Sequence, residues 1–186
     1  DGNLCDAVEA YDPLSGAWTR LASLSVARFD HTASVVEGKI YVVGGLVQNP
    51  DDEGPSAATD RVDVYNPAAD SWQQMAAMPT ARQGHAAAVL DGKIYVSGGY
   101  LLSNETSAFL EAYDPVTDTW TTLASLSRAR AYHISAAFKG KLYVFGGGVT
   151  QGGPTHLVEV YSPASNSWAS LADPPSTFER SVAVAL

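Results

Sequence analysis

Short runs of apolar and β-branched residues recur along the chain, each closed by turn-forming residues. Residues 31–36 (HTASVV) are mostly apolar, and Glu37-Gly38 supplies a turn signal. Residues 39–43 (KIYVV) are rich in β-branched and aromatic side chains and stop at Gly44-Gly45. A variable polar stretch follows. Residues 62–65 (VDVY) then alternate in polarity, and Asn66-Pro67 opens another turn. Trp72 begins a last short run that ends near Met75. Runs of this composition, bounded by Gly, Pro and Asn, predict strands. The apolar positions follow no helical period, so the chain is expected to be all-β.

The pattern repeats. Trp18, Trp72, Trp120 and Trp168 are spaced by 54, 48 and 48 residues. The pairs Gly44-Gly45, Gly98-Gly99 and Gly146-Gly147 are spaced by 54 and 48. Arg28, Arg82, Arg130 and Arg180 follow at 54, 48 and 50, with His31, His85 and His133 three residues after the first three. Four residue types on one period exclude coincidence. Four short strands in a unit of about 48 residues match one blade of a β-propeller.

The motifs are specific. GKIYVVGG (38–45), GKIYVSGG (92–99) and GKLYVFGG (140–147) are near-copies, as are AYDPLSGAW (10–18), VYNPAADSW (64–72), AYDPVTDTW (112–120) and VYSPASNSW (160–168). Together with Arg-x-x-His they resemble kelch repeats, over essentially the whole chain. The resemblance implies a kelch β-propeller. It would have three full four-stranded blades (about 28–76, 82–124 and 130–172), N-terminal outer strands (about 1–24) and a C-terminal inner strand (178–186). Kelch rings usually hold six or seven blades, so the chain is expected to be part of a larger ring. A four-bladed ring and two chains completing one ring are the alternatives. Open blade edges would favour self-association.

Residues on the repeat serve the fold first. Trp18, Trp72, Trp120 and Trp168 are expected to pack between blades, as are the repeat tyrosines at 11, 41, 65, 95, 113, 143 and 161. The imidazoles of His31, His85 and His133 recur at one position of successive blades. That favours a tie to neighbouring backbone over a metal site, and no metal is expected. The repeat arginines are expected to pair with acids of the third strand: Glu9, Asp63, Glu111 and Glu159.

Charge narrows the function. The formal net charge is −9. Of eleven basic residues only Arg20, Arg61, Arg128 and Lys139 lie outside the repeat. That argues against a phosphate-binding face and against nucleic-acid or anionic-membrane partners. No run approaches the roughly 20 apolar residues that span a bilayer. A single cysteine, Cys5, cannot form an internal disulfide, and a cytoplasmic location is expected. The loop 46–60 is long, acidic and constrained by Pro50 and Pro55. It is read as a solvated loop, since its spacing is not that of a calcium loop.

Kelch domains commonly bind proteins or peptides through loops on one face, and the resemblance implies such a module, with a substrate-recruiting adaptor as its fuller form. The resemblance places that face at the residues after each Arg and in the loops after each Gly-Gly. Here these are Phe29, Asp30, Gln83, Ala131, Tyr132 and Ser181, with Tyr100 and Phe109 as loop aromatics. Relatives that bind acidic peptides carry Ser-Gly or Asn-Arg after the Arg. Only Ser181 matches, and Asp30 reverses the chemistry. The expected partner is therefore a neutral or basic protein or peptide. The rival reading is an enzyme, carbohydrate-processing or oxidase-like, with a site in the central pocket. Cys5 stands before a strand at the N-terminus and does not resemble the cross-linked cysteine of kelch-like copper oxidases. No nucleophile elbow or phosphate loop is present. No catalytic residue and no cofactor is expected.

Overall fold

The computed structural model describes residues 5–48, 56–150 and 152–175. Among these residues there are nineteen strands and no helix. The chain opens with a hairpin, β1 (Val8–Asp12) and β2 (Ala17–Leu21). Short β3 (Arg28–Phe29) leads into β4 (Thr32–Val36) and β5 (Lys39–Val43). Two short strands of the following loop, β6 (Leu46–Val47) and β7 (Ala57–Ala58), precede β8 (Val62–Asn66) and β9 (Ser71–Gln74). The next blade is β10 (Ala86–Leu90), β11 (Lys93–Ser97), β12 (Leu110–Asp114) and β13 (Thr119–Leu123). The last contains β14 (Ile134–Phe138) and β15 (Lys141–Phe145), loop strands β16 (Gly148–Val149) and β17 (Gly153–Pro154), then β18 (Val158–Ser162) and β19 (Ser167–Ser170).

Three antiparallel four-stranded sheets result: β4-β5-β8-β9, β10-β11-β12-β13 and β14-β15-β18-β19. Each runs in chain order from its first strand outward. The first strands β4, β10 and β14 contact one another from blade to blade, so they form the inner ring. This is the all-β, four-stranded-blade propeller architecture that the repeat predicts. The inner strand expected at the C-terminus lies outside the described residues.

The core sits between blades. Val36, Tyr41, Val43, Val62 and Val64 of the first full blade meet Ile94, Val96 and Tyr113 of the second. Leu90, Tyr95, Leu110 and Ala112 of the second meet Leu142, Val144 and Tyr161 of the third. Each buried side chain of this size contributes roughly 1.5–3 kcal/mol. The third strands β8, β12 and β18 are buried on both faces. Their polar alternation therefore marks buried acids and not a solvent face.

Tryptophans fasten the outer rim. Trp72 Nε1 donates to Ala22 O at 2.7 Å, Trp120 to Ala76 O at 2.9 Å and Trp168 to Ala124 O at 2.7 Å. Each acceptor belongs to the preceding blade. Beside each tryptophan, a turn residue accepts from its own blade's tyrosine and from the neighbour's backbone. Asp70 takes Tyr65 OH at 2.7 Å and Ala22 N at 2.8 Å. Asp118 and Asn166 do the same with Tyr113 and Ala76, and with Tyr161 and Ala124. All three have positive φ, which short polar side chains tolerate.

The N-terminal hairpin departs from this rule. Trp18 is 68% exposed and Tyr11 is 52% exposed, their rings tilted against each other with centroids 5.1 Å apart. Neither packs between blades as expected, because among the described residues no sheet covers that side of the hairpin. The turn position equivalent to Asp70 is Gly16, which keeps the positive φ but has no side chain to accept a bond.

Candidate functional site

One end of the blades carries the long loops, and buried arginines set their bases. Arg28 pairs with Asp63, Arg82 with Glu111 at 2.5 Å, and Arg130 with Glu159. All six side chains are almost wholly buried. The acids expected from the repeat are thus the partners for three of the four arginines. Arg180 lies outside the described residues, and Glu9 is exposed on β1. Each guanidinium also holds both ends of its loop. Arg82 Nη1 donates to Gly98 O and Phe109 O, both at 3.2 Å. Arg130 Nη1 donates to Gly146 O at 3.2 Å and Leu157 O at 3.1 Å. Arg28 Nη1 reaches Gly44 O and Arg61 O in the same way. Desolvation pulls Arg82 and Arg130 down to about 10, which still leaves them charged at neutral pH. In the first full blade the acid is the shorter Asp63. Arg61 forks onto it at 2.8 Å through both Nε and Nη2.

The double glycines are needed for blade-to-blade approach. A Cβ on Gly44 would lie 2.7 Å from His85 Cε1 and 2.8 Å from Arg82 O. Its φ of +58° is also left-handed, so only glycine fits without strain. The histidines fasten the same seam, and two of them do so through hydroxyl side chains of the neighbouring blade. His85 Nε2 bonds Thr32 Oγ1 at 3.0 Å, and His133 Nε2 bonds Ser97 Oγ at 2.8 Å. Each hydroxyl comes from the preceding blade. Burial pushes His85 and His133 down to about 3, so both rings are neutral at physiological pH. Among the described residues no group of three His, Cys, Asp or Glu is arranged to hold a metal.

Around the inner ring the residues two after each Arg are joined by backbone. Gly84 N donates to Asp30 O at 3.0 Å, and Tyr132 N donates to Gly84 O at 2.7 Å. Asp30, Gly84 and Tyr132 all have φ between 53° and 57°. Tyr132 then reaches over Gly84 to the blade beyond, and its hydroxyl donates to Asp30 Oδ2 at 2.7 Å. Its ring tilts against Tyr100 with centroids 5.7 Å apart. Tyr100 exchanges two backbone bonds with Gln83, at 3.0 and 2.7 Å. The loops are tied to each other as well: Thr106 N donates to Thr150 Oγ1 at 2.9 Å.

The sequence-selected residues therefore separate. Phe29 and Phe109 are exposed, at 46% and 40%. Asp30, Gln83, Tyr100 and Tyr132 are half-buried on the same face. Ala131 is a correction: it is fully buried, because its backbone pairs with Gly148 and turns its methyl inward. Ser181 lies outside the described residues. Sequence reasoning missed the contact between Asp30 and Tyr132. These residues are 102 positions apart, and only the curvature of the ring brings them together.

Comparison with known proteins agrees with this geometry. The family model described as the KLHDC2/KLHL20/DRC7 Kelch-repeats domain matches residues 30–185. This chain belongs to the kelch-repeat family. It is 41% identical over 92 residues to Kelch-like ECH-associated protein 1B of Danio rerio, covering 50% of this chain and 15% of that protein. It is 39% identical over 101 residues to Kelch-like protein terF of Aspergillus terreus, covering 53% and 22%. An F-box/kelch-repeat protein of Arabidopsis thaliana is 39% identical over 92 residues, covering 50% and 23%. The chain thus spans less than a quarter of each of these curated relatives. The solved structure titled "Structure of YjhT" superposes with a TM-score of 0.80 at 20% identity, covering 95% of this chain and 68% of that one. That likeness is one of fold.

Proposed function

We propose that this chain is a protein-interaction module that binds a peptide or protein segment through the loop face. The observation that carries this reading is the pair of exposed phenylalanines, Phe29 and Phe109, on loops whose bases are pinned by buried arginines. Aromatic side chains on a rigid base make good anchors, since they supply contact area with little entropy to lose. Cross-loop bonds such as Thr106 to Thr150 further reduce the ordering cost of binding. The relatives point the same way: one is named for association with ECH, and another joins kelch repeats to an F-box. A substrate-recruiting adaptor is the fuller form of this proposal.

Selection from a random peptide library on the immobilised chain tests it. Enriched peptides should bind the Phe29→Ala/Phe109→Ala double variant at least about 30-fold more weakly, the loss of two interface anchors. The melting temperature should stay unchanged. Failure to enrich any peptide, or equal binding to a folded double variant, would overturn the proposal.

A further inference from the structure

We infer that the inner mouth of the loop face holds a site for one cationic side chain, a lysine ammonium or arginine guanidinium presented by a partner polypeptide. Asp30 is its counter-ion, and Tyr132 and Tyr100 are its aromatic walls. The inference rests on the protein-binding reading and deepens it.

The first observation is conformational. Tyr132 has φ +53°, a left-handed geometry that a bulky side chain rarely adopts. The same φ recurs at Asp30 and Gly84, so the turn belongs to every blade, and only at 132 among these three does it carry an aromatic side chain. Here the contacts are clear. Tyr132 N is held by Gly84 O at 2.7 Å, and its hydroxyl by Asp30 Oδ2 at 2.7 Å. Its ring lies over Gly84, where an added Cβ would stand 2.8 Å from Tyr132 Cε1. Glycine at 84 therefore lets the tyrosine cross the mouth.

The second observation is chemical. Asp30 is a carboxylate at the mouth, and its described hydrogen-bonding partner there is a neutral phenol. A cationic N–H adds the attraction of opposite full charges to its hydrogen bond with a carboxylate, which a neutral hydroxyl does not. A guest ammonium or guanidinium can displace the phenol from Asp30 Oδ2 and lie against the tilted pair of Tyr100 and Tyr132 rings. Such a cation is attracted to ring faces as well as to the carboxylate.

The third observation is the charge of the face. The repeat arginines are consumed in buried pairs, and Arg61 is forked onto Asp63. The repeat lysines Lys39, Lys93 and Lys141 begin the second strands, at the opposite end of the blades. The loop end carries Asp30, Asp60 and Glu105 against Arg128. A cation approaching this end is drawn in, and an acidic side chain is repelled.

The test is a titration of the isotope-labelled chain, followed by amide NMR, with N-acetyl-arginine amide, N-acetyl-lysine amide and N-acetyl-glutamate amide. The basic probes should shift the Gly84 and Tyr132 amides saturably, with affinity of roughly millimolar order. The acidic probe should not. Asp30→Asn should weaken the basic probes about tenfold or more, since it removes the charge but keeps an acceptor. Asp91→Asn, at the opposite end of the blades, should leave them unchanged and so separates the site from net charge. Tyr132→Phe keeps the ring and removes the competing hydroxyl, so binding should not fall. Equal binding to the Asp30→Asn variant, equal binding of the acidic probe, or absence of shifts at the mouth would overturn the inference. Library peptides that bind through Phe29 and Phe109 yet ignore Asp30→Asn would do so too, while leaving the protein-binding reading intact.

Discussion

Arg82 illustrates how much one buried side chain controls. It carries the only ion pair of Glu111 among the described residues and holds both ends of the loop from Gly98 to Phe109. Removing one member of such a pair strands the other charge, which costs about 3–5 kcal/mol. Glu111→Gln should therefore lower the denaturant midpoint strongly. The double variant Arg82→Met/Glu111→Leu should recover part of the loss, and recovery of none would contradict this account. The buried histidines give a pH dependence. Their folded value of about 3 lies below the ordinary value of 6.5, so the unfolded chain binds more protons between these limits. Stability should fall as pH drops below about 6.5, by about 2 kcal/mol per histidine at pH 5. His133→Gln should flatten the urea-midpoint profile between pH 7 and 5, and an unchanged slope would refute the cause. At this scale the pairing of arginines with acids was legible, because both lie on one period. That Ala131 points inward while Tyr132 faces outward was not, since both follow the same arginine and only the ladder to Gly148 separates them.

The blade is the unit in which the sequence is most transparent. Strand composition, Gly-Gly and the Tyr-to-Trp segment each mark one element, and the register follows the repeat. Tyr65 faces Trp72, Tyr113 faces Trp120 and Tyr161 faces Trp168 in the outer ladders. What the pattern hides is the fastening between elements. Asp118 looks like an ordinary turn residue, yet it bridges Tyr113 OH and the Ala76 backbone of the blade before. Asp118→Ala removes both bonds and places alanine at φ +53°. A loss of about 2–3 kcal/mol is expected from two hydrogen bonds and the backbone strain. Amide exchange at Ala76 should accelerate more than exchange at Ala124, whose partner is Asn166. Equal acceleration at both would show that the bond is not local. Gly16 is the natural counterpart of that variant, and beside it Trp18 is exposed, with no fastened neighbour among the described residues.

At the level of the molecule, rigid blades serve to hold the loops. Buried ion pairs, glycine turns and histidine–hydroxyl bonds all converge on the end of the blades where Phe29, Phe109, Tyr100 and Tyr132 lie. The resemblance pointed to that face from sequence. Its internal geometry could not be read there, because contacts such as Asp30 to Tyr132 arise only when three blades curve around one axis. The molecule also exposes a second aromatic surface, Tyr11 and Trp18 on the hairpin, which competes with the loop face as a contact region. Hydrogen-exchange mass spectrometry of the chain with a library-selected peptide bound distinguishes the two most directly. Protection of the Tyr100–Phe109 loop and the backbone from Phe29 to Asp30, with the hairpin unchanged, is the predicted result. Protection confined to the hairpin at Tyr11 and Trp18 would contradict the account.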